Sequence, residues 1–163
     1  MWDLLRAILV LIGLAGAAGY LYWRDQEVIT GVAHVVDGDT VRIDGTVIRL
    51  KGLDAPEMHQ TCHQGSQSYP CGEVAKGALV RMASHGVMIC RVAGQDRYRR
   101  TLAHCSVDGE DVGSKLVADG LAIGYGGYRA EETLARARKA GLWSGTFQKP
   151  EDWRREHRPG DHS

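Results

Sequence analysis

Residues 32–53 read VAHVVDGDTVRIDGTVIRLKGL, the clearest strand signal in the chain. Asp-Gly interrupts its β-branched runs twice, and the second break, Asp44-Gly45, separates Val41–Ile43 from Thr46–Ile48. Both central positions of a two-residue hairpin turn need a positive φ, which Asp-Gly tolerates. The pattern therefore predicts a β-hairpin that turns at these two residues.

Further strand and helix patterns follow this hairpin. VMICRV at 87–92 and TLAHCSV at 101–107 predict two more strands, and helical patterns cover about 73–84, 112–119 and 131–139. Short strands in close hairpins, with one helix inserted and others at the end, favour a small Greek-key barrel of α+β type. Barrels of this type can bind oligonucleotides on one face.

The N-terminal residues differ in composition from the rest of the chain. Ala7 to Trp23 are 17 residues without a charge, at the lower edge of the roughly 17–25 that span a bilayer. Aromatic rings at both ends suit a membrane–water interface. We expect an uncleaved transmembrane helix that anchors the protein. The small residues Ala15-Gly16-Ala17 leave a cleaved signal peptide, and hence secretion, as one alternative. A buried core helix is another.

The chain contains four cysteines, which help to predict the cellular compartment of the protein: Cys62, Cys71, Cys90 and Cys105. An even number beside an export-type segment suggests disulfides formed in the periplasm or at the cell surface. The first two lie nine residues apart in one loop and could close it, and the last two lie in strand-like runs that could set them side by side. Zinc bound near His59 and His63, or free buried thiols, are the alternatives.

The charge balance excludes one class of nucleic-acid-binding protein. Lys plus Arg equals Asp plus Glu at 20 each, whereas proteins that coat duplex DNA non-specifically usually carry a basic excess. A local cluster at 91–100, with four arginines and one aspartate, offers the contact instead. A single Phe argues against a broad aromatic platform for single strands.

Two acidic clusters flank the predicted hairpin. Asp39 follows the first Asp-Gly, and Asp54 begins DAPE, which ends at Glu57. The hairpin can bring Asp39 and Asp54 to neighbouring strand ends, where two carboxylates repel unless a cation joins them or one takes up a proton. Ca²⁺ and Mg²⁺ accept such oxygen ligands. Turn-capping aspartates are the plainer interpretation.

Arg49 is the only charge in the apolar run VIRL. An arginine there is costly unless something anionic pairs with it. Pairing with Asp54 or Glu57 would be structural, whereas bidentate contact with a phosphate would be functional. Arg100, at the start of the strand after DRYR, is a second candidate of this kind.

Taken together, these motifs resemble the thermonuclease (staphylococcal nuclease-like) family. The resemblance extends over about residues 28–153 and is carried in order by DGDT, IRLKGLDAPE, DRYRRTLA, VADGLA and AGLWSG. It implies a five-stranded OB-type β-barrel with three helices, and calcium-dependent hydrolysis of DNA and RNA. We therefore predict a membrane anchor or signal segment at 1–26, a nuclease domain at 27–153 and a flexible charged tail at 154–163.

The resemblance also implies the metal ligands and the group that acts on water. Asp39 and Asp54 would ligate Ca²⁺, together with the backbone carbonyl of Ala55, which stands where Thr is usual. Only that carbonyl is used, so the ligand survives the replacement. Glu57 would act on the attacking water as general base or orienting group.

The same resemblance implies the substrate contacts. Arg49 and Arg100 would hold the phosphate and stabilise charge in the transition state. Arg99 stands where Gly usually precedes this second arginine, so the local turn could change or gain a phosphate contact. The residues expected beside the bound nucleotide are Arg97, Tyr98, Tyr125 and Tyr128.

The predicted function is a calcium-dependent phosphodiesterase, monomeric and tethered outside the cytoplasm, that acts on DNA, RNA or both. The main alternative is a catalytically silent OB-fold module that binds nucleic acid or protein. That alternative predicts a lost carboxylate or arginine, and all five catalytic and metal-binding side chains are present. A membrane-bound scaffold, a third hypothesis, would leave the intact charged cluster unexplained.

Overall fold

A computed structural model describes residues 2–24 and 27–157 of the 163-residue chain. The strands are β1 Val28–Gly31, β2 His34–Val35, β3 Thr40–Ile43, β4 Thr46–Leu50, β5 Leu53–Asp54, β6 Cys62–Gln64, β7 Gln67–Tyr69, β8 Met88–Gln95, β9 Thr101–Val107, β10 Glu110–Asp111 and β11 Ile123–Gly124. The helices are α1 Trp2–Arg24, α2 Cys71–Ala83, α3 Val112–Ala118, α4 Arg129–Ala137 and α5 Pro150–Glu156, with a 3₁₀ turn at Gly141–Ser144.

Seven strands form the main sheet, in the order β1-β8-β9-β4-β3-β2 with β10 paired to β9. Strands β4 and β9 run parallel, and the other neighbours run antiparallel. The predicted hairpin is confirmed: β3 and β4 pair with Thr40 opposite Arg49. Asp44 and Gly45 have φ values of 46° and 82°, as the turn requires. This register brings Arg49 next to Asp39.

The predicted fold class is right in part. The α+β class is confirmed, but the closed five-stranded barrel is wrong. Among the described strands the hydrogen-bonded path is open, because β1 pairs with β8 and β2 pairs with β3 at the opposite edge. The sheet curls enough for β1 to approach β3 without a ladder, since a Cβ on Gly31 would lie 2.6 Å from Ile43 Cγ2. Residues 27–157 contain four helices rather than three, and α5 is the one that sequence reasoning missed.

The core lies between the sheet and helices α2 and α3. Val41 and Ile43 of β3 and Ile48 of β4 are fully buried there. Leu79 of α2 and Leu116 of α3 belong to the same apolar cluster. The hairpin that carries Arg49 is therefore fixed by its apolar neighbours on both strands.

Both predicted disulfides are confirmed. Cys62 is bonded to Cys71, and Cys90 is bonded to Cys105, its direct partner across the β8–β9 ladder. All four cysteines are thereby used, and none is free. The zinc alternative finds no support, because residues 2–24 and 27–157 contain no group of three or more His, Cys, Asp or Glu arranged to hold a metal ion.

The N-terminal run is helical, as α1, over Trp2–Arg24. Measured against the length and apolarity that a bilayer crossing requires, no helix in the described part of the chain qualifies. The prediction of a transmembrane helix therefore has no support from the structure. The structure does not describe the aromatic side chains at positions 20, 22 and 23, which we expect at the membrane interface. Residues 25–26 and 158–163 lie outside the described residues.

Candidate active site

Arg49 joins the two buried carboxylates that the hairpin brings together. Its Nη1 donates to Asp39 Oδ1 at 2.9 Å, and its Nη2 lies 2.8 Å from Asp39 Oδ2. The same Nη2 donates to Asp54 Oδ1 at 2.6 Å. Asp39 and Asp54 are only 3% and 2% exposed. The arginine in the apolar strand therefore has an anionic partner on each side, and only 17% of its side chain is exposed.

Asp39 is held by two further groups of the cluster. Besides Arg49, its carboxylate accepts hydrogen bonds from the Thr40 hydroxyl at 2.9 Å and from the Ala55 backbone N–H at 3.3 Å. Burial raises the pKa of Asp39 to about 7 against the lowering effect of Arg49, and the neighbouring carboxylates of Asp37 and Asp54 add to the rise. The cluster thus holds more negative charge than one guanidinium balances, which a proton or a cation would relieve.

Arg154 of α5 also reaches Asp54, and it contacts Glu57 as well. Its Nη1 donates to Glu57 Oε1 at 2.6 Å and to Asp54 Oδ1 at 3.0 Å, and its Nη2 donates to Asp54 Oδ2 at 2.9 Å. Sequence reasoning missed this residue by assigning it to a flexible tail that began at 154. Helix α5 extends to Glu156, three residues into that segment.

A sequence signal for α5 does exist. Pro150 occupies the first helical turn, Glu151 and Asp152 follow it, and Arg154 and Arg155 fill the last turn. Proline at the first helical position, acids near the N-terminus and bases near the C-terminus are the pattern that favours a helix. A seven-residue helix without an apolar stripe is nevertheless marginal by itself, so its contacts with the rest of the domain decide whether it forms.

A buried glutamine ties the turn that carries Glu57 to the segment that leads into α5. Gln60 is fully buried, and its Oε1 accepts the Glu57 backbone N–H at 3.1 Å. Its Nε2 donates to the Gln148 carbonyl at 2.6 Å. Gly72, in the first turn of α2, packs so closely that a Cβ there would overlap the Glu57 carbonyl. The backbone of the Glu57 turn and that of the segment before α5 are therefore held in a fixed relation to each other.

Arg100 is held by a turn that Asp96 organises. One oxygen of Asp96 accepts the backbone N–H groups of Tyr98 and Arg100 at 2.8 and 2.9 Å, and the other accepts Arg100 Nε at 2.7 Å. Arg99 has a φ of 64°, the left-handed conformation that glycine adopts readily. The replacement of the usual Gly by Arg99 therefore leaves the turn in the glycine-type conformation.

Tyr98 lies between two guanidinium groups. The Cζ of Arg97 is 4.8 Å from its ring centroid and that of Arg100 is 5.5 Å away. At 63% exposure, the ring is also accessible from solvent. This arrangement offers an aromatic surface with positive charge beside it, which suits a base and its phosphate.

One cleft of about 950 Å³ collects nearly all the predicted site residues. The predicted residues that line it are Asp39, Arg49, Asp54, Ala55, Glu57, Arg97, Tyr98, Arg100 and Tyr125. Helix α5 adds Glu151, Trp153 and Arg154, and His157 follows directly after the helix. Carboxylates, arginines and exposed aromatics therefore share a single open cavity.

Tyr128 is the predicted nucleotide contact that lies apart from this cleft. Its hydroxyl donates to Asp111 Oδ1 at 3.0 Å and lies 3.3 Å from His104 Nδ1. Asp111 is also the N-cap of α3, where it accepts the Ser114 N–H. Burial and the adjacent Asp111 carboxylate raise the pKa of Tyr128 well above its usual range. Tyr128 therefore fastens α4 to α3, and its position gives no support to a stacking role.

The donor set at the cluster fits a hard divalent cation. Asp39, Asp54 and the Ala55 carbonyl are the oxygens that the resemblance assigns to Ca²⁺, and water commonly completes such a shell. Burial and the neighbouring carboxylates raise the pKa of Asp39, so a positive charge beside these oxygens favours their ionised form. In the described conformation two guanidiniums supply that charge, since Arg49 and Arg154 both contact Asp54.

Comparison with known proteins agrees with this geometry. A family described as "Staphylococcal nuclease homologue" matches residues 47–145. Succinoglycan biosynthesis protein ExoI of Rhizobium meliloti is 34% identical over 145 residues, covering 84% of this chain and 72% of that protein. A probable staphylococcal-like nuclease of Oryza sativa is 34% identical over 120 residues, which cover 69% of this chain and 34% of that protein. An uncharacterized endonuclease of Haemophilus influenzae is 29% identical over 140 residues, which cover 78% of this chain and 73% of that protein.

The extent of the matches differs among these relatives. The chain spans nearly three quarters of the two bacterial proteins but about a third of this Oryza sativa protein. The family match contains Arg49, Asp54, Glu57 and Arg100, and Asp39 lies eight residues before its start. It covers more than half of the 163 residues. The chain therefore belongs to the staphylococcal nuclease homologue family.

Proposed function

We propose that this protein is a calcium-dependent phosphodiesterase that hydrolyses DNA, RNA or both. The observation that carries the proposal is the buried Asp39–Arg49–Asp54 cluster, which opens into the same cleft as Glu57 and Arg100. Relatives named as endonucleases support hydrolysis of nucleic acid in this family. The calcium requirement and the substrate class are proposals for this chain.

The side chains divide the chemistry between them. Arg49 and Arg100 would donate hydrogen bonds to the phosphoryl oxygens and meet the negative charge that develops in the transition state. Glu57 would accept or orient the proton of the attacking water. Asp39, Asp54 and the Ala55 carbonyl would hold Ca²⁺, which supplies Lewis-acid polarisation of a phosphoryl oxygen. Tyr98 and Tyr125 would contact the bases.

The decisive experiment is hydrolysis of a plasmid and of a structureless RNA by the purified chain. We expect cleavage with added Ca²⁺ and none with a calcium chelator, because the carboxylate donors prefer a hard cation. Full activity in chelator would overturn the two-carboxylate metal site. Binding of either polymer without cleavage under any divalent cation would favour the catalytically silent module.

We further propose that the domain works in an oxidising compartment outside the cytoplasm. The two disulfides support this, since such bonds are rare in cytosolic proteins. Thiol titration under denaturing conditions, on protein taken from its native compartment, is expected to find no free thiol. Four titratable thiols would contradict this localisation.

A further inference from the structure

Arg154 competes for the carboxylate that the cation needs. We propose that Arg154 is a positioning residue that stands in for the cation at Asp54 and is displaced when the cation binds. The inference rests on the cation site of the proposed function. It goes further by proposing that α5, through Arg154, helps to set the cation concentration at which that site is filled.

The contacts at Asp54 leave little room for a cation beside Arg154. Both oxygens of this carboxylate accept a hydrogen bond from Arg154, and Oδ1 also accepts Arg49. Glu57, the group assigned to the attacking water, is engaged by the same Arg154 Nη1. A cation that ligates Asp54 would meet this guanidinium at contact distance, and like charges at such a separation repel strongly in a partly buried site.

Arg154 is better able than Arg49 to leave the cluster. Arg49 lies in β4, which is paired on both edges, and it contacts Asp39 as well as Asp54. Its side chain is 17% exposed, whereas that of Arg154 is 37% exposed on the last turn of a surface helix. A long side chain at the cleft rim can change rotamer into solvent without moving the backbone.

Helix α5 itself is anchored independently of this ion pair. Pro150, at its first position, is buried, and the preceding Gln148 carbonyl is held by Gln60. Release of Arg154 therefore leaves α5 where it is. The guanidinium then remains close enough to return when the cation dissociates, so the exchange is reversible and sets an apparent affinity rather than a permanent block.

The test is calcium binding by the purified full chain without nucleic acid, measured by isothermal titration calorimetry. Arg154→Gln removes the competing charge, so we expect the Kd for Ca²⁺ to fall by roughly tenfold. Arg155→Gln is the matched control, because Arg155 lies on the same helix and pairs with Asp152 away from the cleft. Its Kd is expected to equal that of the parent.

An unchanged or higher Kd in folded Arg154→Gln would overturn the proposal, since a purely structural role predicts loss of order at Asp54 and weaker binding. If that variant does not fold, an NMR titration of the parent protein with Ca²⁺ tests the proposal instead. The Nε–Hε signal of Arg154 is expected to shift as Ca²⁺ is added, and a signal that stays constant through saturation overturns the inference. A separate nuclease assay distinguishes the two proposals. If Arg154→Gln binds calcium more tightly and no cleavage is seen, the proposed nuclease function is contradicted and the displacement of Arg154 is not.

Discussion

Arg49 contacts both buried carboxylates, so the geometry of its guanidinium matters more than its charge alone. Arg49→Lys keeps the charge but replaces a planar fork with a single ammonium, which cannot contact two phosphoryl oxygens in the same way. We expect turnover on plasmid DNA to fall by roughly 10² or more while the circular dichroism spectrum is unchanged.

Arg42→Lys provides the matched control for this substitution. Arg42 lies on the neighbouring strand, is exposed and donates only a long 3.4 Å hydrogen bond to the Gly45 carbonyl. Its conversion to lysine is expected to leave turnover as it is. If Arg49→Lys behaves in the same way, Arg49 serves the protein by neutralising Asp39 and Asp54, and its catalytic assignment is wrong.

Arg99 carries a backbone cost that a glycine would not. A left-handed conformation costs an ordinary residue about 1–2 kcal/mol, and part of the gain from glycine is lost to the greater freedom of its unfolded chain. Arg99 has a φ of 64°, so Arg99→Gly is expected to raise the free energy of unfolding by up to about 1 kcal/mol in urea titrations. Arg97→Gly, two residues earlier and without a positive φ, should lower it instead. Equal effects of the two substitutions would contradict this explanation.

The secondary-structure elements that depend mainly on residues close together in the sequence could be predicted from it. The β3–β4 hairpin depends on Asp44-Gly45 and an alternating apolar pattern, and helices α2, α3 and α4 begin and end within two residues of the predicted limits. The open sheet and α5 were missed for a different reason. Whether edge strands close on each other, and whether a short charged helix forms, depends on contacts distant in sequence, such as Gln60 with Gln148.

The same distinction applies to the candidate site. Asp39, Arg49 and Asp54 could be assigned because one hairpin joins them. Arg154 could not, because it reaches Asp54 across 100 residues of chain. Tyr128 is expected beside the bound nucleotide only through the family resemblance, whereas its hydroxyl is bonded to Asp111.

Close packing between α2 and the Glu57 turn makes Gly72 a sensitive position. A methyl group there would overlap the Glu57 carbonyl, a backbone atom that can move only with its turn. Gly72→Ala is therefore expected to lower the free energy of unfolding by about 1–3 kcal/mol. It should also reduce turnover of the folded fraction, because Glu57 shifts. Urea denaturation and single-turnover kinetics measure the two effects.

Gly77→Ala, on the same helix, is the control for backbone propensity. A Cβ at this position would meet only an Arg81 nitrogen at 3.6 Å, an ordinary contact with the end of a flexible side chain one turn along the helix. Alanine is the better helix former, so this variant is expected to gain up to about 1 kcal/mol. A Gly72→Ala variant that also gains stability would show that the Glu57 turn yields easily and is no rigid support.

For the whole molecule, the absence of net charge is compatible with nucleic acid binding because the charges are sorted locally. The inner cleft gathers the carboxylates Asp39, Asp54 and Glu57 around Arg49 and Arg154, while Arg97 and Arg100 line it on the β8–β9 side. A polyanion would thus meet arginines at the rim and a cation site at the centre. Affinity is expected to depend on salt only through these few contacts.

The two disulfides lie in different parts of this architecture, and their positions predict different consequences when each is removed. Either bridge should contribute about 2–4 kcal/mol to stability, mainly by restricting the unfolded chain. Cys90–Cys105 joins two strands that are already paired along most of their length. Cys62–Cys71 instead fixes the start of α2, where the next residue packs on the Glu57 carbonyl.

Double alanine substitution of each pair separates stability from activity. Replacing Cys90 and Cys105 is expected to lower the midpoint of urea unfolding while leaving the turnover of folded protein close to that of the parent. Replacing Cys62 and Cys71 should lower both, because the turn that presents Glu57 loses its covalent support. Turnover is compared at a temperature where circular dichroism shows each variant folded. Equal turnover in the two double variants would mean that the packing of Gly72 and the hydrogen bonds of Gln60 alone hold Glu57 in the cleft.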